Sequence, residues 1–264
     1  MNDTIFDRNR AAWNQALEYH QRARNNALQT GFANPEFSTL DRDCDGLLMD
    51  KLEKLDLRGK AIAQLPCNNG RELLSLMRLF GTARAVGTDI SDTAIAEARQ
   101  LARIAGLHAE FVRTNLLELG SEYDNCFDFI YISEGSLQWF PDLDEYFAVI
   151  ARLLKQNGQI LVFEIHPFAY VGGKLKQDPN HATSYFDKGP YSYADGLDYV
   201  GGVAYEAKEC CWFMHKMSDV LAALRRNRIE VLDFDEYGME MANDPAFQEQ
   251  ERLPLSYIFT GRKS

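Results

Sequence analysis

The stretch AIAQLPCNNGRELLSL, residues Ala61 to Leu76, decides the fold. Its first five residues, Ala61–Leu65, have the short apolar pattern of a buried strand. Pro66–Gly70 is a run of turn-forming residues, and beyond it leucines recur at helical spacing. A strand, a tight loop and a helix in this order form the unit with which nucleotide-binding α/β proteins hold a cofactor. Such loops usually carry two or three glycines, and this one carries only Gly70.

The residues that follow alternate between strand and helix patterns. Ser91 is a good N-cap, Asp92 favours a first helical turn and Gly106 is a typical helix stop, so their spacing predicts a helix between them. The other predicted core elements are strands Ala83–Asp89, Ala109–Arg113, Phe127–Ser133 and Gln159–His166 and helices Gly70–Phe80 and Asp142–Leu154, with a turn at Asn157-Gly158. Two last strands, Ile229–Asp235 and Leu255–Gly261, are joined by a polar segment. The sequence therefore predicts an α/β fold, a doubly wound, mostly parallel, seven-stranded Rossmann-like sheet with an antiparallel C-terminal hairpin.

Four regions are expected along the chain. Residues 1–57 have helical periodicity, broken at Asn34-Pro35 and resumed in a helix from Gly46 to Leu55, and are expected to cap the core. Residues 58–166 are the expected cofactor-binding core. Residues 167–210 are too long for a plain loop and are expected to form a lid or insertion with some strand content. Residues 211–264 return to the core, beginning with a helix at Ser218–Arg226.

Composition excludes several classes of partner. The net charge of −11 disfavours nucleic acid, and the basic cluster Arg225, Arg226 and Arg228 reads as a solvated helix end. The sequence contains no apolar run long enough to span a membrane and begins without the apolar core of a signal peptide. The five cysteines include no C-x-x-C pair, which predicts reduced thiols in a cytoplasm, and the five histidines are too scattered to predict a metal site.

An acidic residue ends the second predicted strand. Asp89, in the sequence Gly87-Thr88-Asp89, lies 19 residues beyond Gly70. A carboxylate at about this distance from the loop can accept hydrogen bonds from both hydroxyls of a ribose, because its two oxygens face two donors. The spacing therefore favours a cofactor that contains a nucleoside.

The chemistry of the loop separates the candidate cofactors. A dinucleotide fingerprint G-x-G-x-x-G would need glycines where the sequence has Pro66, Asn68 and Arg71. Those side chains would obstruct the close approach of a pyrophosphate to the backbone, and no P-loop lysine follows. A cofactor without phosphates, such as S-adenosylmethionine, has weaker demands, since backbone groups and an asparagine can bind its amino-acid tail.

These residues resemble a known family. The chain is similar to the class I S-adenosylmethionine-dependent methyltransferases, in the branch whose first motif reads Q-x-x-C-x-x-G. Here that motif is QLPCNNGRELLSL, and the second motif is GTDISDTAIAEAR. The resemblance covers Ala61 to about Phe168, and more loosely the final hairpin. It implies S-adenosyl-L-methionine as cofactor and methyl transfer to a small-molecule acceptor as activity.

The resemblance also implies roles for individual residues. The cofactor loop would comprise Gln64, Cys67, Asn68, Asn69 and Gly70, although Gln64 replaces the usual aspartate. Asp89 would bind the ribose, Ile90 would pack on the adenine, Asn115 would bind the adenine amino group and Leu116 would add a backbone contact. Ser133, Glu134 and Gly135 would line the methyl-transfer site, and Tyr19 would cover the cofactor, as similar tyrosines do in related enzymes.

Several residues near the expected pocket have two possible roles. Trp139 is either a core residue or an aromatic wall beside the sulfonium, since a cationic sulfur favours a π face. His166 is either a general base for the acceptor or a loop histidine held by hydrogen bonds. Phe168 is a candidate substrate contact. The tyrosines of the lid could line a substrate pocket or pack beneath the lid, and most of them are expected to pack; they are Tyr170, Tyr185, Tyr191, Tyr193 and Tyr199.

Two other functions stay open at this point. An NAD-dependent oxidoreductase could use a similar sheet, and the missing pyrophosphate glycines disfavour it. A binding protein that keeps the cofactor pocket but has lost catalysis is suggested by Gln64, Pro66 and Asn68, which depart from the usual first motif. Transfer of a labelled methyl group would separate the methyltransferase from both.

Overall fold

The computed structural model describes residues 4–171, 184–238 and 253–264. Three helices come first, α1 (Ile5–Arg24), α2 (Ala27–Ala33) and α3 (Arg42–Leu52). Thr4 and Asp7 form a capping box that starts α1. The sequence predicted a helix from Gly46 to Leu55, and α3 instead begins at Arg42. Asp45 has non-helical backbone angles and joins an earlier helical turn to the predicted helix.

Nine strands are present in the described ranges. They are β1 (Ala61–Gln64), β2 (Arg84–Asp89), β3 (Ala109–Arg113), β4 (Phe127–Ile132), β5 (Leu154–Ile165), β6 (Tyr191–Tyr193), β7 (Cys210–Trp212), β8 (Ile229–Tyr237) and β9 (Ser256–Lys263). The main sheet has seven of them in the order β3-β2-β1-β4-β5-β9-β8. The first five are parallel, and β9 runs antiparallel to both β5 and β8. This confirms the predicted fold class.

Among the described residues, four helices pack on the main sheet, α4 (Arg71–Phe80), α5 (Asp92–Ala105), α6 (Leu143–Leu153) and α7 (Met217–Arg226). Ser91 caps α5 by accepting a hydrogen bond from the Ala94 N–H at 3.1 Å, and Gly106 ends it in a left-handed conformation. Both assignments agree with the sequence prediction. Within the described chain, no helix is long and apolar enough to cross a bilayer.

The helices bury two apolar layers, one against each face of the sheet. The first contains Phe147 and Ile150 of α6 with Ile130 and Val162 of the strands. The second is formed by α4 and α5 against the other face; its buried members include Leu73, Leu74, Ile95, Leu101 and Phe129. Each fully buried side chain of this size contributes about 1.5–3 kcal/mol, so these layers hold the strand ends in fixed positions.

The start of β5 differs from the prediction. The strand was expected at Gln159–His166 after a turn at Asn157-Gly158, and it begins at Leu154 instead. Leu154 pairs with Phe127 and Gln159 pairs with Phe129, so the residues between them form an irregularity in the ladder. Asn157 adopts a left-handed φ of 63°, which is why the sequence there resembles a turn.

The lid region contains a small second sheet. β6 and β7 pair antiparallel, in line with the expected strand content, while residues 172–183 of the predicted lid lie outside the described residues. The chain just beyond the predicted lid is bound to the core, because the Phe213 N–H donates to the Gln138 carbonyl at 2.9 Å. His215 adds a contact of 2.9 Å between its Nε2 and the Phe140 carbonyl.

Candidate functional site

The candidate site lies where β1, β2 and β4 end, at the carboxyl edge of the parallel strands. The loop after β1 is joined to the end of β2, since the Cys67 N–H donates to the Thr88 carbonyl at 2.8 Å. The end of β1 is likewise joined to β4 through the Leu65 N–H and the Tyr131 carbonyl at 3.2 Å. The residues predicted after these three strands are therefore neighbours, as expected for a doubly wound sheet.

The Asp89 carboxylate accepts hydrogen bonds from the loop after β1 and from the residues that follow β2. Its Oδ2 accepts from the Asn68 N–H at 2.9 Å and its Oδ1 from the Ser91 N–H at 2.8 Å. Burial raises its pKa to about 6, while these backbone donors act in the opposite direction. A carboxylate has about four acceptor positions, and the Ile90 N–H also interacts with this one, so Asp89 retains capacity for a further donor.

Gly70 is required by packing as well as by backbone geometry. Its φ is 72°, and a Cβ built on it would lie 2.6 Å from the Phe111 ring. Gly87 is similarly constrained, because its Cβ would lie 2.7 Å from Cys67 Sγ. Burial raises the pKa of the Cys67 thiol well above its ordinary value, which fits a packed side chain rather than a nucleophile.

Two asparagines shape the loop where other families have glycines. Asn68 has a left-handed φ of 47°, and its Oδ1 accepts from the Asn69 N–H at 2.7 Å. Asn69 is 1% exposed and donates from Nδ2 to Glu97 Oε2 of α5 at 3.3 Å. Asparagine tolerates the left-handed region through such local hydrogen bonds. The loop is therefore a well-formed turn that needs only one glycine.

Gln64 places an amide at the end of β1. Its Nε2 donates to Glu72 Oε2 at 2.6 Å and to Ser133 Oγ at 3.1 Å. Because an ionised carboxylate only accepts, this contact fixes which end of the amide is nitrogen. The Gln64 Oε1 is buried and has no hydrogen-bond partner among the described residues. Glu72 was not predicted as a site residue, although it lies in the same motif as Gln64.

A tight turn follows β4. Gly135 has a φ of 73°, and the Ser136 hydroxyl donates to the Ser133 carbonyl at 2.5 Å. Glu134, between them, is half-buried. The carboxylate of Glu164 holds this turn in place, because it accepts hydrogen bonds from backbone N–H groups of the turn. Glu164 was also missed, because the sequence around it reads only as the end of a buried strand.

The predicted adenine contacts follow β2 and β3. Asn115 accepts from the Leu117 N–H through Oδ1 at 3.2 Å and so caps a short 3-10 turn. Leu116 is 3% exposed and Ile90 is half-buried. One acceptor position of Asn115 is thus already used, and its carbonyl oxygen has a second lone pair available.

Aromatic rings from α1 and the lid meet above the turn after β4. The Trp13 ring lies edge-on to Trp139, with centroids 5.4 Å apart, and 6.4 Å from Tyr199. Tyr199 also contacts Asn68 of the loop, and its side chain remains 61% exposed. Tyr19 instead stacks on Tyr205 of the lid, with centroids 4.1 Å apart. The tyrosine that reaches the loop after β1 is therefore Tyr199, one of the tyrosines that were expected mostly to pack.

His20 and Asp198 hold Tyr199 in this position. His20 Nε2 lies 2.9 Å from the Leu197 carbonyl, and its ring lies 4.5 Å from the Tyr199 ring. Burial lowers the pKa of His20 to about 4, so the imidazole is neutral near pH 7. Asp198 accepts from the backbone N–H groups of Val200, Gly201 and Val203. One turn beyond His20, the Nη1 of Arg24 is buried and has no hydrogen-bond partner among the described residues.

Both ring nitrogens of His166 have polar neighbours, although only Nδ1 accepts a hydrogen bond of regular geometry. Nδ1 accepts from the Phe168 N–H at 3.2 Å, and Nε2 lies 3.0 Å from Glu236 Oε1 of β8. Burial lowers the pKa of the imidazole despite this carboxylate. Phe168 packs between His166 and Tyr185, with ring centroids 5.1 and 5.0 Å away. This geometry favours the loop-histidine alternative over the general base.

Comparison with known proteins gives consistent matches. Residues 62–158 match the family model of a methyltransferase domain. A fatty-acid O-methyltransferase of Mycolicibacterium smegmatis is 28% identical over 137 residues, which are 52% of this chain and 48% of that protein. An S-adenosylmethionine-dependent methyltransferase from Mesorhizobium loti superposes with a TM-score of 0.57 at 18% identity, covering 81% of this chain and 96% of that one. The [4+2]-cyclase SpnF has a TM-score of 0.60 at 17% identity, covering 94% and 96%.

These matches differ in what they establish. The chain spans about half of the length of the fatty-acid relative. The two solved structures have the same fold as this chain, at sequence identities of 18% and 17%. SpnF catalyses a different reaction on this fold, so the fold by itself does not fix the chemistry. The matched domain carries the more specific information. Residues 62–158 therefore resemble a methyltransferase domain, and the chain shares its fold with S-adenosylmethionine-dependent methyltransferases of known structure.

Proposed function

We propose that this protein transfers the methyl group of S-adenosylmethionine to a small-molecule acceptor. The observation that carries the proposal is Asp89, whose carboxylate is bound to the Asn68 N–H and keeps acceptor capacity for a ribose. The alternative dinucleotide is disfavoured because Pro66 and Asn68 occupy the positions where a pyrophosphate needs glycine. QLPCNNG is accordingly proposed as a variant first motif.

The residues present fit the amino-acid tail of the cofactor. The orphaned Gln64 Oε1 is an acceptor for the ammonium group, and Glu72 beside it supplies a negative charge. The orphaned Nη1 of Arg24 is a donor for the carboxylate group. Buried polar atoms without partners are uncommon in folded proteins, which is why these atoms support a polar ligand.

The remaining predicted residues surround the other parts of the cofactor. Ile90, Asn115 and Leu116 are proposed to enclose the adenine, and Cys67, Asn69 and Gly70 to shape the loop. Ser133, Glu134 and Gly135 are proposed to border the reacting methyl group, with Trp139 and Trp13 as an aromatic wall. Tyr199 takes the covering role that was assigned to Tyr19.

Orientation is the main catalytic contribution expected from these residues. The bound cofactor supplies a methyl group activated by a sulfonium. The protein's own part is to hold the acceptor in line with that methyl group and to exclude water beneath α1 and the lid. We assign His166 no proton-transfer role, since both of its nitrogens have neighbours within 3.2 Å.

The acceptor is proposed to be a small molecule. A net charge of −11 continues to predict that nucleic acid is not a partner. The named relative acts on fatty acids, so carboxylic acids are the first acceptor class to test. An ionised carboxylate needs no general base, which agrees with the engaged state of His166.

Calorimetric titration tests the proposal. The protein is titrated with S-adenosylmethionine, S-adenosylhomocysteine and NAD, and so are the variants Asp89→Ala and Asp128→Asn. We expect micromolar binding of the two sulfur compounds and no binding of NAD. Asp89→Ala should weaken binding about 100-fold, because it removes charge-assisted hydrogen bonds worth about 1.5–3 kcal/mol each. Asp128→Asn should have no effect, since Asp128 bonds the Ala61 N–H at the opposite end of the sheet.

Two outcomes would replace this function. Binding of NAD without binding of the sulfur compounds would favour the oxidoreductase. Binding of the cofactor without transfer of its labelled methyl group to any acceptor in a metabolite extract would favour the binding protein.

A further inference from the structure

Glu164 is a buried carboxylate near the end of β5 that the proposed reaction does not use. It is 4% exposed, and no ion pair to it is present in the described parts of the chain. It lies beneath the turn that follows β4. Burying a carboxylate without a cation is expensive unless hydrogen bonds satisfy its oxygens.

Four backbone N–H groups satisfy those oxygens. Glu164 Oε1 accepts from Gly135 at 2.6 Å and from Ile165 at 2.8 Å. Glu164 Oε2 accepts from Ser136 at 2.9 Å and from Leu137 at 2.8 Å. Three of the four donors belong to the turn after β4, so one side chain determines the position of three successive residues.

The same turn is connected to the cofactor loop. The Ser136 hydroxyl donates to the Ser133 carbonyl at 2.5 Å, and Ser133 Oγ accepts from Gln64 Nε2 at 3.1 Å. A change in the Glu164 contacts would therefore reach Gln64 through a short chain of hydrogen bonds. Ser133, Glu134 and Gly135 are the residues proposed to border the methyl group.

Protonation of Glu164 is incompatible with all four contacts. A carboxylate offers about four lone-pair positions, and each of its oxygens already accepts two hydrogen bonds. A proton on either oxygen occupies one position and places a donor against the N–H groups. At least one N–H of the turn must then be released.

We propose that Glu164 is a positioning residue whose ionised carboxylate holds the turn at Gly135–Leu137 in the conformation that binds the cofactor, and that protonation of Glu164 releases it. The inference rests on the proposed function, because it assigns the turn to the cofactor site. It makes cofactor affinity depend on pH in the neutral range.

The surroundings of Glu164 place its titration in that range. Burial raises its pKa to about 7, and the four N–H donors oppose this rise. The titratable groups near it are Tyr146 of α6, Tyr257 of β9, Tyr170 and His215, which line the same small cavity as Glu164, and His166 two residues further along the chain. Tyr146 and Tyr257 have a pKa well above 10, and burial lowers the pKa of both histidines. None of these last four groups is therefore a charged partner of Glu164 near pH 7.

The test measures affinity for S-adenosylhomocysteine by calorimetry at pH 6 and pH 8. For wild type we expect about tenfold weaker binding at pH 6, because only about a tenth of the protein then has an ionised Glu164. Glu164→Gln should bind at least tenfold more weakly at pH 8 and should lose this part of the pH dependence. Asp128→Asn, which changes a carboxylate at the other end of the sheet, should behave as wild type.

Asp89 and the histidines also titrate, but they are unchanged in Glu164→Gln. The difference between this variant and wild type therefore isolates Glu164. Equal affinity of the two proteins at both pH values would overturn the inference. Failure of wild type to bind the ligand at any pH would instead overturn the proposed function.

A second measurement does not require the variant to fold. Trp139 lies two residues beyond Leu137, the last residue of the turn, so the emission of wild type minus that of Trp139→Phe reports on the position of the turn. We expect this difference to titrate with a midpoint near pH 7. A difference that is constant between pH 6 and pH 8 would contradict the release of the turn.

Discussion

Gly70 combines a left-handed backbone with a neighbour that leaves no room for a side chain. Gly70→Ala should therefore lower the free energy of unfolding in two ways, by about 1–2 kcal/mol for the left-handed conformation and by about 1–3 kcal/mol for the overlap with Phe111. Gly106→Ala is the matched control, because Gly106 has a similar φ of 65° and no atom within 4 Å of the added Cβ. Urea unfolding of the two variants should differ by about 1–3 kcal/mol. Equal losses of stability would show that the Phe111 contact does not constrain the loop.

The residues of the candidate site differ in how far the sequence alone could identify them. Asp89 and Gly70 were predictable because both belong to motifs with fixed spacing from a strand end. Glu164, Tyr199 and Arg24 were not, because each contributes through a contact with residues far away in the chain. Tyr199 illustrates this limit, since a tyrosine in a Gly-rich segment reads the same whether it packs or borders a cleft. His166 remained ambiguous until Phe168 and Glu236 were placed beside it.

At the scale of elements, α1 is attached to β7 and to the residues just before it. The buried amide of Asn9 forms two hydrogen bonds with the backbone of Cys211, at 2.8 Å through Nδ2 and at 2.7 Å through Oδ1. Gln15 makes the same type of pair, donating to the Glu206 carbonyl and accepting from the Lys208 N–H at 2.9 Å each, but at an exposed position. Both amides imitate the hydrogen bonds of an adjacent strand.

The two amides allow a controlled test of this attachment. Asn9→Ala leaves a buried N–H and a buried carbonyl of Cys211 without partners, so we expect a loss of about 2 kcal/mol in the free energy of unfolding. Gln15→Ala exposes its partners to water and should cost less than about 1 kcal/mol. Hydrogen exchange of the Cys211 amide should accelerate in Asn9→Ala alone. Similar exchange in both variants would contradict a role for burial.

Element boundaries were predictable where the capping residues are strong. Ser91 and Gly106 bound α5 as predicted, and β3 has the predicted limits. The early start of β5 was not predictable, because the left-handed Asn157 beside Gly158 imitates a turn and only pairing with β4 reveals the strand. The early start of α3 was missed for a similar reason, since a distorted residue, Asp45, interrupts its periodicity.

At the scale of the whole molecule, two buried carboxylates make stability and binding respond oppositely to pH. The pKa is raised to about 6 for Asp89 and to about 7 for Glu164. A carboxyl group whose pKa is raised by folding stabilises the folded state while it is protonated, and this contribution is lost as pH rises through the folded pKa. The free protein should therefore lose stability from these two groups between about pH 4 and pH 7. Binding of the proposed cofactor requires both groups ionised and should become stronger over the upper part of that range.

The thermal shift caused by S-adenosylhomocysteine should consequently be larger at pH 8 than at pH 6. A ligand that binds only the folded state stabilises it in proportion to the logarithm of its affinity, so a tenfold change in affinity corresponds to about 1.4 kcal/mol at saturation. For a chain of this size that is about 2–4 °C in melting temperature. Scanning fluorimetry of the free and ligand-saturated protein at both pH values measures the shift, and Asp128→Asn serves as the control. In Glu164→Gln the shifts at the two pH values should draw closer, because only Asp89 and the histidines then still titrate. A shift that is the same at both pH values in wild type would mean that neither carboxylate must be ionised for the ligand to bind.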